Sequence, residues 1–171
     1  ARLLPYVVYR GERLRVDRGG ITVRALRGPT FELDVGTSGA LGSDASDVKA
    51  RAGMPDIGDL VELGPRLVWH LGKGPGGGTW RLELPLRGVF DLGDDLAYRG
   101  LSFEPELQFS SGRRGGWTWS ASLSAIVGSE RYADLYYEVD PAYVTATRPA
   151  YDGRAGLIAW RLGPSASHGF A

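Results

Sequence analysis

The residues able to act as acids, bases or nucleophiles are few and scattered. His70 shares a parity with Glu62 and Arg66, and Ser120, Ser122 and Ser124 share a polar parity farther along, so a Ser–His–acid set can be drawn. No Gly-x-Ser-x-Gly elbow supports a serine nucleophile, and a polar-face histidine near a strand end is ordinarily structural. Asp94-Asp95 and Glu104/Glu106 are carboxylate pairs of the kind glycosidases use, but no aromatic-lined cleft is inferred around either, and turn or lumen duty accounts for them better. Gly72 to Gly78, GKGPGGG, lacks the Gly-Lys-Ser/Thr and the following helix of a phosphate cradle. Two histidines and no cysteine leave no donor set for zinc or an iron–sulfur cluster, and no disulfide. The expectation is a chain that is not an enzyme, with no catalytic residue, no metal and no cofactor.

What the sequence does specify is the elements. In Thr79 to Phe90, TWRLELPLRGVF, Trp80, Leu82, Leu84 and Leu86 fall on one parity and Arg81, Glu83 and Arg87 on the other, the mark of a two-faced strand. Upstream, Val61, Leu63, Leu67, Trp69 and Leu71 alternate with Glu62, Arg66 and His70. Downstream, Leu101, Phe103, Leu107 and Phe109 alternate with Ser102, Glu104, Glu106 and Gln108. Trp117, Trp119, Ala121, Leu123, Ala125 and Val127 then alternate with Thr118, Ser120, Ser122 and Ser124. These runs exceed the usual ~5–6 residues of a globular strand and approach the ~9–11 needed to cross a bilayer at a tilt.

Composition narrows the class further. The 171 residues suit one domain, residues 1–171, and 20 basic against 20 acidic residues leave no net field for nucleic acid or anionic lipid. No run of ~18 apolar residues offers a membrane-spanning helix. A mean hydropathy of −0.17 is what alternating lipid-facing and lumen-facing residues average to in a barrel. With 26 glycines for turns and bends and 11% aromatics for interfaces, the composition is barrel-like. The chain opens without a basic-then-apolar segment, so any secretion signal is expected to be removed or to lie outside this sequence.

Taken in order, Leu4–Val8 and Leu14–Asp17 read as a hairpin turning at Gly11-Glu12, with a second turn at Gly19-Gly20. Ile21–Ala25 and Phe31–Val35 follow as short strands. From Gly36 to Asp59 the alternation vanishes into Gly, Ser and Asp, which reads as one long loop and a candidate partner surface. Residues 72–78, 92–97 and 111–116 are turns. Leu135, Tyr137 and Val139 alternate with Tyr136 and Glu138 as a strand, and Asp140-Pro141 then starts a short helix over Ala142–Ala146. Ala155, Leu157 and Ala159 open a last strand. Pro65, Pro85 and Pro105, inside successive strands, predict bulges. The fold class is therefore all-β, an antiparallel up-and-down transmembrane β-barrel with about 8–10 strands here.

Segments Leu4–Gly20, Arg51–Leu67, Leu82–Phe90, Tyr98–Leu107 and Tyr132–Leu157, the last carrying YYEVDP with Tyr136, Tyr137, Val139, Asp140 and Pro141, resemble the MipA/OmpV family of Gram-negative outer-membrane proteins. The resemblance implies a barrel in the bacterial outer membrane with no enzymatic activity. It further implies a scaffold for peptidoglycan-remodelling enzymes, a murein lytic transglycosylase and a murein synthase, or a surface or adhesion protein. Against the family pattern the sequence lacks a first strand and the last strands, so about 10–12 strands are expected in the complete barrel.

Alternation leaves the facing open. A membrane barrel turns Leu82, Leu84 and Leu86 to lipid and sets Glu62, Arg66, Arg81, Glu83, Arg87, Glu104 and Glu106 as a charge ladder in the lumen. It places Trp69, Trp80, Trp117, Trp119 and Trp160 at the lipid interface. The alternative, a soluble lipocalin-like barrel, points the leucines inward around a small apolar ligand. Strand length, tryptophan placement and the resemblance favour the membrane. Partners are then outer-membrane lipid and the peptidoglycan enzymes, with no nucleic acid.

Overall fold

The structure, a computed structural model, describes residues 9–10, 14–17, 20–40 and 42–168. The expected strand over Leu4–Val8 and the turn at Gly11-Glu12 lie outside the described residues, as does Gly19 of the second turn. Among the described residues, ten strands form one antiparallel sheet. They are β1 (Tyr9–Arg10), β2 (Leu14–Asp17), β3 (Gly20–Arg27), β4 (Phe31–Ala40), β5 (Leu60–Lys73), β6 (Thr79–Asp91), β7 (Ala97–Phe103), β8 (Glu106–Ser110), β9 (Trp117–Gly128) and β10 (Gly156–His168). Each pairs with its neighbour in sequence, except that β7 and β8 share one lane between β6 and β9.

The prolines mark that interruption and not bulges. Pro105 parts β7 from β8, where the Glu104 N–H donates to the Pro85 carbonyl at 3.3 Å and the Ala125 N–H to the Pro105 carbonyl at 3.2 Å. A residue without an N–H breaks a ladder, and here two of them break it at one height. Register shifts fall elsewhere, at Arg24/Leu26, His70/Gly72, Val89/Phe90 and Leu157/Ala159.

Two readings of the sequence need correction. The long loop does not begin at Gly36: β4 runs on to Ala40, with Gly36, Thr37, Ser38, Gly39 and Ala40 opposite Gly64, Leu63, Glu62, Val61 and Leu60. The apolar pattern fails there because Gly, Thr, Ser and Ala carry no large side chain, and neighbouring strands come close at some of these positions, Gly36 and its partner Gly64 among them. A Cβ on Gly64 would meet the Leu86 carbonyl oxygen at 2.0 Å. Beyond the strand, 3-10 turns at Ala45–Asp47 and Lys49–Arg51 and a bridge from Ser43 to Ile57 order the loop.

The expected strand around Leu135–Val139 is instead helix α1 (Glu130–Tyr137). Tyr132, Ala133 and Tyr136 form its inward stripe at helical spacing, and this packing overrides the short two-residue alternation. The Asp140-Pro141 signal does start a helical turn, but only over Pro141–Tyr143, with the Asp140 carboxylate accepting from the Ala142 N–H at 2.8 Å.

The connections are unequal at the two ends of the sheet. At one end lie the turns 28–30, 74–78 and 111–116; at the other lie 42–59, 92–96 and 129–155. Tyr132 of α1 packs with Leu60 of β5 and Val89 of β6, and Ile126 of β9 and Ile158 of β10 join the same cluster. Strands five places apart in chain order thus meet around one helix, so the sheet curls toward the face that carries α1. Leu60 and Val89 share the parity of Glu62 and Arg87, hence the charged parity is the concave one.

Gly64→Ala should force β5 and β6 apart and lower stability by about 1–3 kcal/mol, while Gly39→Ala, whose Cβ meets nothing nearer than 3.8 Å, should be near neutral. Thermal loss of the compact species on unboiled detergent gels, compared for the two variants, checks this.

Candidate functional site: the charged concave face

Strand register places the charged residues in a continuous run. Arg66 on β5 reaches Asp34 on β4 at 2.8 Å and Glu83 on β6 at 3.3 Å; Glu83 also holds Arg81 at 3.0 Å. Arg81 donates on to Gln108 Oε1 of β8 at 2.6 Å. Nearer the loop-rich end, Arg87 reaches Glu62 at 2.9 Å, and the Ser38 hydroxyl donates to the same carboxylate at 3.0 Å. Glu104 pairs with Arg161 of β10 and accepts from Ser124 Oγ at 3.2 Å.

The grouping differs in part from the ladder drawn on the sequence. Arg66, Arg81 and Arg87 serve Asp34, Glu83 and Glu62, while Glu104 pairs with Arg161 instead. Glu106 lies directly across from Glu83 in the ladder, like charge against like, with no ion pair among the described residues. Asp34 and Arg161 were not singled out in the sequence. Both follow the charged parity of their strands, but only register shows that Asp34 faces Arg66 and that Arg161 faces Ser124.

Asp34 is 2% exposed, and its Oδ1 is buried without a hydrogen bond. A carboxylate so placed is held by the Arg66 guanidinium at its other oxygen. Its register partner on β3, Arg24, pairs with Glu32 at 3.1 Å, and His70 Nε2 sits 3.5 Å from the same Glu32.

The drawn catalytic sets do not assemble. His70 on β5 is separated from the serines of β9 by β6 and β8, and Ser120 and Ser124 hydrogen-bond to Ser110 and Glu104. Asp94 lies in the 92–96 turn paired with Arg99 at 2.9 Å.

At the mouth, Tyr132 and Tyr136 stack edge to face at 5.2 Å. Burial pushes both phenols above their ordinary range, and for Tyr132 the neighbouring Tyr136 adds to it. Both rings therefore stay neutral and act as packing groups. Of the family segment, Tyr136 is half-buried, Tyr137 exposed, and Val139 bridges Tyr151 through N–H to carbonyl bonds of 2.8 and 3.1 Å. On the convex side, Trp69, Trp117 and Trp119 are exposed near the short-turn end, and Trp80 rests on Phe109 at 4.9 Å. Trp160, opposite Ala125, lies toward the other end and not at a strand terminus.

An antiparallel up-and-down wall with an ion-paired concave face and a helix in one mouth defines an all-β, barrel-type protein. The chain matches the MltA-interacting protein MipA family over residues 1–171 and belongs to it. No curated protein and no solved structure matches it.

Arg66→Ala strands the Asp34 carboxylate and should cost on the order of 3 kcal/mol, and Asp34→Asn in the same background should return part of it. Denaturant unfolding in detergent, followed by tryptophan fluorescence, measures both; a fully tolerated Arg66→Ala contradicts the pairing.

Proposed function

We propose that residues 1–171 form a single barrel domain in the bacterial outer membrane, a non-catalytic scaffold that engages a murein lytic transglycosylase and, through it, a murein synthase. The observation that carries the membrane part is the two-faced wall. The parity bearing Leu63, Trp69, Leu86, Leu101, Leu107 and Leu123 is left exposed, while the opposite parity is ion-paired on the concave side. Leu162 is 74% exposed and Trp160 65%. Such a surface is costly in water and ordinary against hydrocarbon.

Strand length supports the same reading. β5, β6, β9 and β10 have 14, 13, 12 and 13 residues. A tilted strand needs ~9–11 to span a bilayer. The direction of curl argues against a soluble carrier, which would fold the leucine face inward around its ligand. The exposed tryptophans serve as interface anchors, and Glu62, Arg66, Arg81, Glu83, Arg87, Glu104 and Glu106 as a lumen-facing charge ladder.

The family name supports the transglycosylase as partner. Residues 42–58 and the Tyr132–Tyr151 excursion, the two longest departures from the sheet, are the contact surfaces in this reading.

Leu84→Arg should cost on the order of 2–4 kcal/mol by placing a cation against hydrocarbon, while Thr118→Arg on the opposite parity should be milder. Equal tolerance in vesicle-refolding titrations would argue against the facing. Photo-crosslinkers at Ala146 and at Gly115 in intact envelopes test the partner. Capture of a lytic transglycosylase through Ala146 is expected; capture through Gly115 alone contradicts the contact surface, and absence from both sinks the scaffold role.

A further inference from the structure

We infer that residues 42–58 and 129–155 are two halves of one lid, clasped by a reciprocal pair of arginines, that shuts one mouth of the barrel. Each half is first tied to itself: Ser43 bridges Ile57 in one, and Val139 bridges Tyr151 and Thr145 bridges Arg148 in the other. Each then sends an arginine into the backbone of its counterpart. Arg51 donates from Nη1 to the Tyr136 carbonyl at 2.9 Å and from Nη2 to its own loop's Pro55 carbonyl at 3.1 Å. Arg148 donates from Nη1 to the Ala50 and Ala52 carbonyls at 2.9 and 3.1 Å, and from Nη2 and Nε to the Tyr143 carbonyl at 2.8 and 3.2 Å.

The acceptors are suited to this. Tyr136 lies in the last turn of α1, and Ala50 and Ala52 lie at the end of the Lys49–Arg51 turn, where carbonyls lack intrahelical partners and a cation is favoured. Both arginines are half-buried although Lys49, Ala50, Ala52, Thr147 and Pro149 around them are exposed.

Apolar packing joins the halves at the foot of the 42–58 loop, where Ile57 lies against the cluster of Leu60, Val89 and Tyr132; farther out the arginine hydrogen bonds cross the seam. A cavity of about 600 Å³ opens there, with Met54 and Asp56 on one side and Asp134, Glu138 and Tyr143 on the other, and Arg51 crossing it. Beneath it α1 is seated on Leu60, Val89, Ile126 and Ile158. The clasp therefore sets whether the outer part of the 42–58 half, around residues 50–52, stays over the helix, and the helix covers the wall below. Closure of a pore rests on the membrane-barrel reading; the clasp itself does not.

The chain has no cysteine, so a single introduced thiol reports without background. Val89→Cys puts it on the wall under α1, where Val89 is 0% exposed. Alkylation by a small charged thiol reagent should be slow in the otherwise native chain. In R51A/R148A it should rise severalfold, because α1 then keeps only its apolar seat on the wall and opens more often, while staying below the rate of an exposed control, Lys73→Cys. A Val89→Cys rate equal to the control with the arginines intact, or unchanged without them, overturns the lid. Where R51A/R148A does not assemble, Arg148→Lys keeps the charge but cannot fork across these carbonyls; it should accelerate labelling, and an unchanged rate counts against the clasp. Failure of the membrane reading appears separately, as failure of the protein to float with phospholipid vesicles.

Discussion

Charge on the concave side of a curled sheet has little water to fall back on, and the rest of the structure answers to that constraint. Asp34 shows it most directly, being buried to 2% exposure and bound to Arg66 on the next strand. Arg66 in turn shares Glu83 with Arg81, so the pairs are links of a run across β4, β5 and β6. A one-residue slip in any of these ladders would send an ion out through the apolar face and a leucine in among the charges. The ion pairs thus fix register more than they add stability, which for such pairs is modest against a well-packed apolar replacement.

The concave face changes character toward the loop-rich end. There the charged parity carries Leu60, Val89 and Ile126 beside the buried Asp91, which pairs with Arg99, and these apolar positions are the ones on which α1 is seated. Apolar groups on an otherwise ionic face gain from being covered, and a helix with Tyr132 and Ala133 on its inner stripe packs over them. Gly128 belongs to the same fit, since a Cβ there would strike the Tyr132 ring at 2.5 Å. The mouth and the wall therefore follow one rule, with pairing where charges face each other and packing where a helix covers them.

Much of this was legible in the alternation. The runs at 61–71, 79–90, 101–109 and 117–127 are strands β5 to β9, and the all-β antiparallel class follows from them; the family follows instead from the resemblance of particular segments, such as Tyr132–Leu157. Three features were not. Gly36–Ala40 is strand without an apolar face, because Gly, Thr, Ser and Ala there offer no large side chain to alternate; close approach accounts for Gly36, whose Cβ would meet Thr22 Oγ1 at 3.1 Å, but not for Gly39. Glu130–Tyr137 is a helix too short for its period to outweigh a chance alternation, and its identity depends on a cluster drawn from β5, β6, β9 and β10. Asp34 and Arg161 become part of the ionic run only when register is known. A usable signal was present all the same: Leu60, Val89 and Ile126 break the polar parity at one end of three strands, and that exception marks what sits on top of them.

Spin labels placed singly along β6 and β9 test the central claim, that the leucine parity meets hydrocarbon and the charged parity the interior. In phospholipid vesicles, labels at Leu82, Leu84, Leu86 and Leu123 are expected to collide with oxygen dissolved in the bilayer. Labels at Thr118, Ser120 and Ser122 should instead be shielded from it, giving a period of two along each strand. A reversed alternation, with the leucine positions shielded and the serine positions open to lipid, or no alternation at all, contradicts the account.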